Sequence, residues 1–240
     1  MILKVNMEYN EQGCLLYADA YPGAFTRGRT LQEALRKIDD EIVSYRKWLT
    51  FDEQVWEHSS IIKIIQKEYS TLPIHEADTG ILFDSEKAVL TIEEYQQIKQ
   101  IALKSAQDFL TLYQSIPNRH GTMQKPRKTF YGEVPLSAEA MYEHTKSVNS
   151  YYFRGIQVMV KDAADIYQRR VAGFERLEAR PDFLKNEIYV DIHQEAWNVR
   201  KVCRRFIWHD RIHARAMYRM AKQLCPKTDI ADPFFFDEVN

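Results

Sequence analysis

The sequence predicts two structural classes in one chain: a small α+β unit at the N-terminus, then an all-α bundle of four helices. Three observations predict this. The first 30 or so residues alternate apolar and polar side chains, the period of half-buried strands. Beyond about residue 91, apolar residues recur every three to four positions, the period of amphipathic helices. Between the two, residues 71–90 carry Pro73, Gly80 and several polar residues, the composition of a linker.

The elements follow in order. "ILKVNMEY" and "CLLYADA" read as strands on either side of "NEQG", a turn signal. "YPGAFTRGR" supplies a Pro-Gly turn and a short third strand. Thr30, with Glu33 three residues on, has the capping-box pattern: the hydroxyl accepts from one free backbone N–H and the carboxylate from another. Leu31, Ala34, Leu35, Ile38, Ile42 and Tyr45 follow at helical spacing, so residues 30–48 are expected as one amphipathic helix. "SIIKIIQKEY" reads as a returning strand. The order β-β-β-α-β fills residues 1–70, and residues 71–90 link them to the rest as a boundary between separately packed units.

The helical unit is expected over residues 91–225. One stripe runs through Tyr95, Ile98, Ala102, Ser105, Phe109, Leu112 and Ile116. A second runs through Met141, His144, Val148, Tyr151 and Gly155, and a third through Val160, Ala164, Tyr167, Val171, Phe174 and Leu177. The fourth runs through Val199, Val202, Phe206, His209, His213, Met217, Met220 and Leu224. Four such helices in sequence predict a four-helix bundle. The connection 117–136, with Pro117, Gly121, Pro126, Gly132 and Pro135, is long enough to be a lid, a binding loop or a simple insertion. Residues 226–240 form a C-terminal tail.

Composition limits the function classes. Thirty-three Lys and Arg balance 34 Asp and Glu, so no global charge draws the chain to nucleic acid or anionic membranes. No apolar run approaches the roughly 20 residues of a membrane span, and "MILKVNMEYN" has no signal-peptide core. Cys14, Cys203 and Cys225 are odd in number and show no CxxC spacing. They are expected as reduced thiols, and the chain as a cytoplasmic protein.

The stretch "FIWHDRIHARAMYRM", residues 206–220, carries the chemistry. His209 and His213 are one turn apart on the apolar stripe of the fourth helix, so both imidazoles leave the same face. His144 falls on the stripe of the second helix. Burying an imidazole without partners costs about 1–3 kcal/mol. A lone buried histidine usually finds a carbonyl or carboxylate. A pair at i, i+4 with a third ring from a facing helix also matches a three-nitrogen metal site with an open position. "HDRIH" is close to the H-E-x-x-H metalloprotease helix, but Asp210 is one methylene short of the general-base Glu. Asp210 is read instead as a solvent-face residue or a partner that orients an imidazole. His58, His75 and His120 are expected at the surface, His193 as exposed or capping near the start of the fourth helix, and Trp197 and Trp208 as core or bundle-interface aromatics. Arg200, Arg204, Arg211, Arg215 and Arg219 form basic rows: a solvated face paired with acids, or, near the histidines, grips for an anionic ligand.

"EAWNVRKVCRRFIWHDRIHARAM" resembles the last helix of the DinB-like superfamily of four-helix bundles, with Trp197, Arg200, Arg204, His209 and His213 in the places of its pattern W-x-x-R-x-x-x-R-x-x-x-x-H-x-x-x-H. "SAEAMYEHTKSVNSYY" resembles that family's second helix, with His144 at the third ligand. The first half is similar to HicB-like domains: Pro22, Gly23, Gly28, Thr30, Glu33 and Ala34 match the signature in "YPGAFTRGRTLQEALRKIDDEI". The DinB-like resemblance implies a divalent metal on His144, His209 and His213, zinc or nickel foremost. It also implies a low-molecular-weight thiol as co-substrate and a small electrophile as substrate. Arg200 and Arg204 are the expected cofactor-binding residues. The HicB-like resemblance implies a docking or dimerisation module. The expected function is a thiol-dependent transferase, isomerase or hydrolase acting as a homodimer. Its rival is a non-enzymatic stress or regulatory protein with a structural metal.

Overall fold

A computed structural model describes residues 2–50, 61–74, 79–129 and 132–237. The N-terminal part is a four-stranded sheet built from β1 (Ile2–Asn10), β2 (Gly13–Ala18), β3 (Phe25–Gly28) and β4 (Ile61–Tyr69), in the order β3-β2-β1-β4. β1 and β2 are an antiparallel hairpin in the register Val5↔Ala18 to Asn10↔Gly13. β4 lies parallel to β1, with a bulge between Val5 and Asn6. The parallel pair requires a crossover. The segment between β3 and β4 supplies it with α1 (Leu31–Arg36) and α2 (Ile38–Thr50). The single helix expected over 30–48 is therefore two, parted at Lys37, whose N–H bonds back to Ala34 and Leu35. Half of the expected capping box forms: the Glu33 N–H donates to Thr30 Oγ1, while Glu33 Oε2 accepts from the N–H of Arg29, one residue before the cap, rather than from that of Thr30.

The helical part consists of α3 (Ile92–Ser115), α4 (Ala138–Gly155), α5 (Ile166–Glu178) and α6 (Val199–Leu224), with α3 and α4 each packed on α5 and α6. Every one starts on a side-chain cap: Thr91, Ser137, Asp165 and Asn198 accept from backbone N–H groups in the first turn. α5 begins later than its expected stripe, so Val160 and Ala164 precede it. Its buried face is Ile166, Arg169, Arg170, Gly173, Phe174 and Leu177 rather than Tyr167 and Val171. Two small hairpins fill connections: β5 (Lys128–Thr129) with β6 (Gly132–Glu133), and β7 (Tyr189–Val190) with β8 (Ala196–Trp197).

The chain thus runs from a strand sheet to a helical region, in the order expected. One hydrophobic core nevertheless crosses the expected boundary. It joins Leu3, Val5, Leu16, Ile42 and Trp48 of the first half to Phe109, Phe153, Phe206 and Met217 of the second. β2 is buried on both faces. Cys14, Leu16 and Ala18 belong to this core, while Leu15 and Tyr17 pack with Phe83 and Trp208 in a second cluster. That is why "CLLYA" reads as a continuous apolar run. Residues 79–90 are built in as well: Thr79 donates to buried Glu8, and buried Glu86 pairs with Arg204. The change of periodicity marks a change of secondary structure, not the edge of a core.

Among the described residues no helix is long and apolar enough to cross a membrane. All three cysteines are free.

Candidate metal centre

α6 is central, and most of its circumference is buried, charged positions included. Burying a charge is costly unless it is paired. Here the buried charges find partners from other elements. Asp210 accepts from Nη1 and Nη2 of Arg170, at 2.5 and 3.0 Å, and from the Ser105 hydroxyl at 2.7 Å. Arg170 also donates to Asn149 and to the Ala102 carbonyl. Arg204 sits on Glu86, and Arg211 and Arg215 share Glu41 of α2. Arg200, Arg204, Arg211 and Arg215 are paired with acids, as expected on one reading, but Arg204 and Arg211 in the interior rather than on a solvated face; Arg219 is exposed.

This corrects two candidate roles. Asp210 is neither on the solvent face nor beside an imidazole. It closes a buried ion pair with α5, so the resemblance of "HDRIH" to a protease helix carries no general base. Arg200 and Arg204 do not line the cavity at the histidines. Arg200 bonds Glu94 and the Val89 carbonyl, and Arg204 bonds Glu86 and the Ile81 carbonyl.

The histidines do meet. His144 of α4 and His209 of α6 bring their Nε2 atoms to 3.1 Å. One ligating nitrogen from each of His144, His209 and His213 lies within 4.8 Å of the others, and among the described residues no Cys, Asp or Glu joins the set. The 3.1 Å separation suits two nitrogens that share one ion at about 2.0–2.1 Å each. Without an ion, the same contact is a hydrogen bond between one ring's N–H and the other's lone pair. Desolvation holds all three rings in the neutral form. It lowers the His144 pKa below its ordinary value and takes His213 down to about 3. It depresses His209 well below the ordinary value, with the neighbouring His213 and His144 adding to it. Neutral imidazole is the form that ligates a metal, so donor type, number and protonation state all fit a divalent ion.

The rings open onto a cavity of about 440 Å³. Its walls are mostly apolar: Met141, Val148, Tyr151, Tyr152, Trp208 and Ile212. The expected inward stripe of α4 forms the wall of this cavity, since His144, Val148 and Tyr151 are only half-buried. The 117–136 connection closes the other side with Gln124, Arg127, Glu133, Val134 and Pro135. Sequence reasoning missed Arg205, Trp208 and Ile212 as cavity residues. The signal was available: Arg205 stands four residues before His209 and Ala216 three after His213, so they share the histidines' face. Arg200, Arg204 and Arg211 are off that face. His120 and His193 are exposed, as expected. His58 and His75 lie outside the described residues.

Fold and site together define an α+β chain with a three-imidazole cluster, able to hold a metal, at the wall of an apolar cavity. No family model, curated protein or solved structure matches the chain.

Proposed function

We propose that the chain is a divalent-metal enzyme of the DinB-like kind, a thiol-dependent transferase, isomerase or hydrolase that acts on a small electrophile. One observation carries the reading: three neutral imidazoles converge where an apolar cavity meets α6, with no fourth ligand from the described residues. A structural ion would call for a closed ligand shell. An ion held by His144, His209 and His213 would supply Lewis-acid chemistry, lowering the pKa of a thiol or water toward neutrality.

The chain's own residues do the rest. His209 and His213 sit one turn apart on a helix fixed by the Arg170–Asp210 pair in their midst, so their lone pairs are held at a set height. Tyr152 packs edge-on against His209 at 5.9 Å between ring centres and limits its rotation. Met141, Val148 and Trp208 give the chamber an apolar wall that suits an apolar substrate body. Arg205 and Arg127 place positive charge in its wall. The HicB-like resemblance supports a docking or dimerisation role for the sheet. The best test compares metal-loaded and metal-stripped chain in conjugating bacillithiol, mycothiol and glutathione to a simple electrophile. Metal-dependent acceleration with at least one thiol is expected. Equal background rates with all three would hand the site to the rival reading, a non-enzymatic protein with a structural metal.

A further inference from the structure

A second cavity, of about 510 Å³, adjoins the histidine cavity, and the two share Arg127, Ile212 and Ala216. Both halves of the chain build it. Arg211, Arg215 and Arg219, on successive turns of α6, form one wall. Arg27 of β3 and Lys37, at the break between α1 and α2, come from the N-terminal half, and Arg127 from the 117–136 connection. The described lining residues include two carboxylates, Asp40 and Glu41, and Lys37 is also paired with Glu33 at 2.7 Å, just outside the lining. Glu41 is already engaged by two guanidinium groups, at 3.0 Å from Arg211 and 2.5 Å from Arg215. Arg211 is only 2% exposed, yet its Nη1 has no hydrogen-bond partner among the described residues. The Tyr45, Trp48, Phe234 and Phe236 rings lie 5.0–5.9 Å from this guanidinium and offset its burial, so the cations open to a ligand are the outer ones of the row, half-buried Arg215 and exposed Arg219. Guanidinium groups at one-turn spacing suit the planar or tetrahedral oxygens of a carboxylate or phosphate.

We propose that this basic cavity is an oxyanion subsite. It takes the carboxylate or phosphate of a small amphiphilic ligand, whose apolar body crosses the shared Ile212–Ala216 edge into the histidine cavity. The proposal rests on reading the histidine cavity as a ligand chamber, and it narrows the substrate class to small organic anions with an apolar reacting end. It also gives the N-terminal half a part in ligand binding, through Arg27 and Lys37.

Calorimetric titration of the full chain, loaded with zinc, tests it with inorganic phosphate, butyl phosphate, hexyl phosphate and hexanoate. Affinity is expected to rise about tenfold or more from inorganic phosphate to hexyl phosphate, as methylenes enter the apolar chamber. Arg219 is exposed, so Arg219→Gln leaves the fold intact and is expected to weaken every anion about tenfold. Ala216→Leu narrows the shared edge and should abolish the gain with chain length. Val148→Phe, on the far wall, repeats that test. The tighter of hexanoate and hexyl phosphate identifies the headgroup. Absence of anion binding, full affinity in Arg219→Gln, or affinity independent of chain length would each overturn the subsite. Elemental analysis of the same samples separates the two readings. Hexyl phosphate bound to a chain that takes up no zinc refutes the metal and leaves the subsite. Zinc without any anion binding does the reverse.

Discussion

The Nε2 atoms of His144 and His209 lie 3.1 Å apart although the residues are 65 positions apart in sequence. Among the described residues no carboxylate joins their cluster. What they share is His213 and an open cavity.

Metal content is the first expected consequence. Protein purified without a histidine tag should carry about one divalent ion per chain, as a three-imidazole set with one open position does. His209→Ala with His213→Ala should remove it. Unchanged metal in that double variant by elemental analysis would sink the assignment.

The same rings set a pH dependence in the metal-stripped chain. Each has a folded pKa below that of an unfolded imidazole, with His213 at about 3 against 6.5. Below pH 6.5 the unfolded chain therefore binds protons that the folded chain refuses, and stability falls as pH drops toward 3. The thermal midpoint should decline across that window. The decline should be shallower in a His144→Gln, His209→Gln, His213→Gln variant. Parallel curves for the two proteins would show that other groups cause it.

Breaking the Arg170–Asp210 pair should be severe. Asp210→Ala leaves a buried guanidinium facing Ala102 and Asn149 without its counter-charge. A loss of about 3–5 kcal/mol is expected by denaturant titration. Replacing both residues, with Arg170→Met and Asp210→Leu, should lose less than the single change, because no charge is left unpaired. A double loss equal to the sum of the singles would refute that reasoning.

Gly23 reports on the joint between the halves. Its φ is +86°, and an added Cβ would lie 2.7 Å from Ile207 side-chain atoms and from the Trp208 backbone nitrogen of α6. Gly23→Ala should cost about 2 kcal/mol or more, from strain and overpacking together. A neutral result would mean that the sheet and α6 separate readily, as two independently packed units would.

Association is the remaining expectation. β4 is an edge strand, with Ile61, Ile65 and Tyr69 exposed, and an open edge invites pairing with a second copy. We propose a homodimer on that edge. Light scattering should return twice the 28.4 kDa of one chain, and Ile65→Lys should halve it. A wild-type mass equal to one chain at micromolar concentration would reject the dimer.

Much of this molecule is legible in its residues alone. Strand-like stretches placed β1, β2 and β4, and the Thr30 cap marked a helix start. The one-turn spacing of His209 and His213 on an apolar stripe identified a centre that His144 completes. These are local or periodic properties, carried by neighbouring residues along one element. Three things were decided only in three dimensions. Arg204 and Arg211 were assigned to buried carboxylates, because Glu86 and Glu41 come from distant elements. Asp210 went to Arg170, because α5 turns a different face inward from the one its apolar residues suggest. The sheet and the helices came to share a core, because both faces of β2 need covering: one joins Phe206 and Met217 of α6 in the main core, and the other packs with Trp208 in a second cluster. Periodicity states which side of an element is apolar. It is silent on which other element arrives there, and that arrival decides whether a charge is a ligand grip, a buried strut or part of a cavity wall.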